Sequence, residues 1–102
     1  MPTKNREAQA VLESMVGGLT FGKALRSIRM CDETSQVEFA KKLGLSKSHL
    51  CDIEQDRKTV SPQRASRFAR LLGYSEAQFV RLALQGMLDE ANISMIVSVK
   101  AA

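Results

Sequence analysis

The sequence predicts an all-α fold of five short helices, with an extra N-terminal helix and a short C-terminal β-strand. Apolar residues recur at helical spacing through most of the chain. A serine or threonine stands before each of the five helices, and glycines stand where several of them would end. With 102 residues, the chain has the length of one domain.

The charge of the chain favours a polyanionic partner. The net charge is +4, and residues 19–81 alone carry twelve Lys or Arg against seven Asp or Glu. Phosphate groups are bound by such basic surfaces with release of counterions. Aromatic residues make up only 5% of the chain, which argues against a platform that stacks single-stranded bases.

The cysteines and the apolar segments give no sign of a metal site or of a membrane. Cys31 and Cys51 form no CxxC pair, and the single His49 cannot complete a zinc ligand set with them. No cofactor is expected, and the two thiols are expected to be reduced. No apolar run approaches the length that spans a bilayer, so we expect a cytoplasmic protein.

The first two helices differ in their relation to the core. Residues 4–16 place an apolar stripe on one face and end at Gly17 and Gly18, so residues 1–18 are interpreted as an appended helix. Thr20 can cap a second helix that runs to about Met30.

The next two helices are short and close together. Ser35 and Glu38 form a capping-box pattern at the start of one helix, which ends at Gly44. Ser46 caps the following helix, over residues 46–55, and Leu50 and Ile53 are expected to point inward from it.

Two further helices complete the predicted domain, residues 19–90. Ser61 and Pro62 mark the start of one, which ends at Gly73, and Ser75 begins the other. The expected core aromatics and leucines are Phe39, Leu43, Phe68, Leu72 and Phe79. The methionines Met30, Met87 and Met95 are expected to fill gaps or to form an interface.

The two short helices around Gly44 carry the main functional signal. A small residue, Ala40, allows a close helix crossing, and Gly44 tolerates the positive φ of a tight turn. This pattern resembles the helix-turn-helix of the phage repressor and Cro family, also called the Xre family, over residues 19–84. The matching residues are Arg29, Gln36, Ala40, Gly44, Ser46, Leu50, Ile53 and Glu54.

The resemblance implies a lambda-repressor-like domain that binds double-stranded DNA with residues 46–55 in the major groove. Base contacts are then expected from Lys47, Ser48 and Asp52, with Cys51 as a secondary candidate. Phosphate contacts are expected from Gln36, Ser46, His49, Arg57 and Lys58, although His49 could instead simply lie at the surface. Arg29 and Glu54 would form the family's inner ion pair. Asp56 departs from the family, which usually has glycine there.

Two functions fit this fold, and neither is enzymatic, because no catalytic constellation is present. The first is a transcriptional regulator, a dimeric repressor on a partly palindromic operator. The second is an antitoxin that binds a toxin protein and represses its own operon.

The tail, residues 91–102, is predicted to contain a strand over residues 93–99. Ile93, Met95, Val97 and Val99 would share one face and pair with a second copy to form a homodimer. Alternatively, the strand could fold back on its own domain, or it could join the sheet of a toxin.

Overall fold

The computed structural model describes residues 18–102, in which it contains five α-helices. These are α1 (Phe21–Cys31), α2 (Gln36–Leu43), α3 (Lys47–Glu54), α4 (Pro62–Leu72) and α5 (Glu76–Glu90). The predicted helical character is confirmed for this part of the chain, whereas the helix predicted over residues 4–16 lies outside the described residues. The described residues divide into two compact units, one that ends at Lys58 and one that comprises Thr59–Ala102.

Each of the five helices is capped at its N-terminal end by the hydroxyl residue that the sequence predicts. The side-chain oxygens of Thr20, Ser35, Ser46, Ser61 and Ser75 accept hydrogen bonds from backbone N–H groups three residues further along, at 3.0–3.2 Å. Such a bond satisfies one of the N–H groups that a helix start leaves unpaired. The starts of the helices are therefore fixed by contacts between near neighbours in sequence.

In the first unit, α1 and α2 both pack against α3. The inward prediction for α3 is confirmed, because Leu50 is 0% exposed and Ile53 is 1% exposed. The other buried side chains of this unit include Phe21, Ala24, Leu25, Ile28, Phe39, Ala40 and Leu43. One face of α3 is thus covered by its own unit, and this fixes which face remains open.

The second unit contains α4 and α5, which pack against each other. Their buried side chains include Ala65, Phe68, Ala69, Leu72, Phe79, Leu82 and Ala83. The rings of Tyr74 and Phe79 stack with centroids 6.0 Å apart. At the surface, Arg70 Nη1 and Ser66 Oγ both donate to Glu76 Oε1, at 2.8 and 2.6 Å.

The predicted C-terminal strand is wrong, since the described residues contain helices and irregular segments and no strand. A strand needs a second strand for its hydrogen bonds, and the described part of the chain offers none. Instead of a second strand, the side chain of Gln85 forms hydrogen bonds with the backbone of the tail. Its Nε2 donates to the Met95 carbonyl at 2.8 Å, and its Oε1 accepts from the Val97 N–H at 2.9 Å.

The exposure of the apolar side chains in the tail also differs from the expectation. Ile93 and Met95 are exposed, whereas Val97 and Val99 are half-buried, so the four do not share one open face. Ile96, which the sequence reading left out of this set, is 93% exposed. Met30, Met87 and Met95 are all exposed and do not fill gaps in the core.

Candidate functional site

The turn between α2 and α3 is built on Gly44. Its φ of 72° lies in the left-handed region, where a residue with a side chain is strained. The Leu45 N–H donates to the Ala40 carbonyl at 2.8 Å, and the Gly44 N–H donates to the Lys41 carbonyl at 3.1 Å. These two bonds form the Schellman pattern, which closes the C-terminal end of a helix. Ser46 then starts α3 only two residues later.

The face of α3 opposite Leu50 and Ile53 is open to solvent. Lys47 and Ser48 are exposed, and neither is covered by the described residues. Cys51 and Asp52 are half-buried on the following turn. An α-helix fits the major groove of DNA, so an exposed polar face on a helix held from behind is a suitable reading surface.

Four of the residues expected to contact DNA lie together at the C-terminal end of α3. Arg57 Nε donates to Asp52 Oδ1 at 2.9 Å, and Lys58 Nζ lies 3.5 Å from Asp52 Oδ2. Arg57 also donates to the Cys51 sulfur at 3.6 Å. The bond from Arg57 lowers the pKa of Asp52 below its ordinary value, because it stabilises the ionised carboxylate. We call Asp52, Arg57 and Lys58 the Asp52 cluster.

Arg29 and Glu54 form an ion pair between α1 and α3. Arg29 Nε donates to Glu54 Oε2 at 2.8 Å and Nη2 donates to Oε1 at 3.0 Å, which is the two-pronged geometry of a strong charged hydrogen bond. The Glu54 side chain is only 1% exposed and that of Arg29 is 16% exposed. The bonds to Glu54 raise the pKa of Arg29, so the guanidinium remains charged.

Gln36, an expected phosphate contact, belongs to the same network. Its Nε2 donates to Glu54 Oε1 at 3.2 Å, and Arg29 Nη1 donates to the Thr34 carbonyl at 3.1 Å. These bonds fix the position of the N-terminal end of α2 relative to α3. The Gln36 amide has a second N–H, so it can bond to Glu54 and to an anion at the same time.

An open cleft of 460 Å³ lies beside this network. Its walls are formed by Arg26, Arg29, Ser35, Gln36, Val37, Lys47, Glu54 and Gln55. The cleft brings Gln36 and Lys47 together, and it adds the exposed Arg26, which is not among the contacts expected from the sequence. The spacing of Arg26 and Arg29, three residues apart on one helix, was the available signal for it. Cations and the N-terminal end of α2 together favour an anion here.

The remaining expected phosphate contacts have internal roles as well. The Ser46 side chain accepts from the His49 backbone N–H at 3.0 Å, so it caps α3. His49 is half-buried. A serine hydroxyl that accepts one bond can still donate its own proton, so the capping role leaves Ser46 able to bond to a phosphate oxygen.

The loop after α3 places Asp56 in an uncommon backbone conformation. Asp56 has φ of 59°, in the left-handed region, and its Oδ2 accepts from Thr20 Oγ1 at 2.9 Å. Aspartate is among the few residues that tolerate this backbone. Gly22 lies close by, and a β-carbon there would collide with the carbonyl oxygen of Ile53. No local pattern in the sequence points to this contact of Gly22.

Other kinds of site find no support in the part of the chain that the structure describes. Within residues 18–102, no group of three or more His, Cys, Asp or Glu side chains could hold a metal ion. None of the described helices has the length and apolar character needed to cross a bilayer.

The comparisons with known proteins agree with the geometry around the turn at Gly44. A family model described as helix-turn-helix matches residues 25–79, more than half of the chain. The match contains all of α2, α3 and α4. No curated protein and no solved structure matches the chain.

Proposed function

Because the chain belongs to the Xre and Cro type of the helix-turn-helix family, we propose that it is a sequence-specific repressor whose helix α3 enters the major groove. The family's domain binds DNA in transcription regulation and is not enzymatic. The observation that carries the proposal is the exposure of Lys47 and Ser48 on a helix whose opposite face is buried.

The contacts are proposed to divide into those that read bases and those that grip phosphates. Lys47 suits the O6 and N7 acceptors of guanine, and Ser48 suits either a donor or an acceptor on a base edge. Gln36 and Arg26 line the cleft at the start of α2 and would bond to a backbone phosphate there. Arg57 and Lys58 follow α3 and carry positive charge to the flanking phosphates.

Lys47→Ala and Lys58→Ala test this division. Sites are first selected from random duplexes with the unaltered protein, and each base pair of the selected site is then changed in turn. Lys47→Ala should lose about 1–3 kcal/mol of binding at one base position and relax the preference there. Lys58→Ala should weaken binding to every duplex and reduce the salt slope by about one unit.

Lys100→Ala, a change of an exposed lysine in the tail, serves as the control for lost charge. Identical effects of Lys47→Ala and Lys58→Ala on all sequences would contradict the division. Failure of the unaltered protein to bind any duplex at low ionic strength would overturn the proposed function itself.

We also propose that the protein acts as a homodimer, with half-sites about one helical turn apart. The support is a set of large apolar side chains that are exposed in the second unit, namely Met87, Ile93, Met95 and Ile96. Where such side chains come together in one patch, they are typical of an interaction site. A dimer doubles the area in contact with DNA and so raises both affinity and specificity.

A toxin protein is the second candidate partner for the same apolar surface. Deletion of residues 92–102 separates the two cases when the mass in solution is measured together with binding to the product of a neighbouring small reading frame. Loss of self-association supports the dimer. An intact dimer that no longer binds the product of a neighbouring small reading frame supports the antitoxin.

A further inference from the structure

The Asp52 cluster places a negative charge on the surface proposed to face DNA. Asp52 bonds to Arg57 at 2.9 Å and lies 3.5 Å from Lys58, the two cations that follow α3. The side chains of Arg57 and Lys58 are 57% and 58% exposed, whereas that of Asp52 is 25% exposed. The carboxylate thus lies beneath two cations that remain accessible to a larger anion.

The cluster carries two positive charges and one negative charge in the free protein. An aspartate is ionised at neutral pH even at its ordinary pKa of 3.8, and the bond from Arg57 lowers the pKa of Asp52 further. Only one of the two positive charges is therefore left without a counter-charge. A phosphate that approaches Arg57 must compete with a carboxylate already bonded to it.

We propose that Asp52 is an internal counter-anion, which occupies the position of a DNA phosphate on Arg57 and Lys58 until DNA replaces it. This inference rests on the proposed DNA binding and differs from the expectation that Asp52 reads a base. A carboxylate whose oxygens already face a guanidinium and an ammonium group is poorly placed to accept from a cytosine amino group.

The exposure of the Asp52 cluster determines whether loss of Asp52 strengthens or weakens DNA binding. Ion pairs at a surface contribute little to stability, because water and salt screen them. Without Asp52, the Arg57 side chain would therefore keep nearly the same position. Its positive charge would then be available to bind a DNA phosphate. The function of Asp52 is accordingly to keep binding to any DNA sequence weak, so that base contacts decide where the protein remains bound.

The test compares Asp52→Asn with Glu76→Gln. Each variant removes one carboxylate charge that is paired with an exposed arginine. Glu76 pairs with Arg70 in the second unit and is not part of the proposed interface. Affinity for a random-sequence duplex is measured between 50 and 200 mM salt, together with the salt concentration that elutes each protein from heparin.

We expect Asp52→Asn to bind the random duplex about three- to tenfold more tightly at the low-salt end and to steepen the salt slope by about one unit. Glu76→Gln should change both much less, and Asp52→Asn should elute from heparin later than Glu76→Gln. An equal gain in the two variants would overturn the proposal, because net charge alone would explain it. Weaker binding of Asp52→Asn to the selected site, with a changed preference at one of its base pairs, would also overturn it, in favour of base reading.

The heparin measurement separates this inference from the proposed function. If the unaltered protein bound no duplex, the proposed function would fail. Later elution of Asp52→Asn than of Glu76→Gln would still support the counter-anion, because heparin tests the cluster with a polyanion other than DNA. Equal elution of the two variants would count against it.

Discussion

Gly22 in α1 lies so close to the backbone of Ile53 in α3 that no β-carbon fits between them. The same missing side chain leaves room for the carboxylate of Asp56, whose Oδ1 would lie 2.6 Å from a β-carbon on Gly22. This contact positions the C-terminal end of the helix proposed to read DNA. The position of α3 therefore depends on a glycine in another helix.

Gly22→Ala should destabilise the protein by about 1–3 kcal/mol, because the methyl group would have to displace backbone rather than a flexible side chain. Urea unfolding followed by far-UV circular dichroism measures this, since the chain has no Trp to report by fluorescence. Gly86→Ala in α5 is the matched control, because a β-carbon added at Gly86 would lie 4.0 Å from its nearest contact, Thr59 Cγ2. That change should stabilise α5 by about 0.5–1 kcal/mol. Equal effects of the two changes would contradict the close contact.

Glu54→Leu should cost about 3 kcal/mol, at the lower end for buried pairs, because the Arg29 side chain is 16% exposed and regains some hydration. The double variant Arg29→Met with Glu54→Leu should recover most of this loss, since no charge is then left unpaired. A double-mutant cycle from denaturant unfolding gives the coupling energy. Additive losses in the double variant would show that the pair does not act as a unit.

Asp56→Ala should cost about 1–2 kcal/mol, because alanine is strained at a φ of 59° and cannot accept the bond from Thr20. Asp56→Asn should stay within about 0.5 kcal/mol of the unaltered protein, since asparagine tolerates this backbone and its amide oxygen can accept the same bond. Thermal unfolding of the two variants provides the comparison. If the Asp56→Ala variant were as stable as the Asp56→Asn variant, the loop would not depend on the left-handed backbone at this position.

The stabilising effect of Glu76 should depend on pH. The hydrogen bond from Ser66, and then that from Arg70, lower the pKa of Glu76 below its ordinary value of 4.5. A lowered pKa in the folded state means that ionised Glu76 contributes stability above pH 4.5, and that this contribution is lost as the pH falls through the folded-state pKa. The difference in Tm between the unaltered protein and Glu76→Gln should therefore be constant from neutral pH down to about 5 and shrink in more acidic solution. A difference that stayed constant into strongly acidic solution would contradict the bonding around Glu76.

Residue spacing predicted the features that depend on near neighbours. The one distant contact that was expected, between Arg29 and Glu54, came from the family resemblance, and distant contacts outside that resemblance were missed. Ser35 and Gly44 mark the two ends of α2 through bonds to residues a few positions away, so a reader of the sequence can place them. The pairing of Gln85 with the tail joins residues ten and twelve positions apart, and nothing in the spacing indicates it. The strand prediction failed for the same reason, since alternating apolar residues show a preference for extended backbone but not the presence of a partner strand.

The hydroxyl residues at the five helix starts have a consequence for how quickly the chain folds. Each start requires contact between residues three positions apart, so the chain loses little entropy in closing the loop that defines it. Helical proteins with mainly local contacts reach their native state in about microseconds to milliseconds. Refolding on that timescale leaves apolar side chains that end in the core, such as Phe39 and Phe68, little opportunity to aggregate before they are buried.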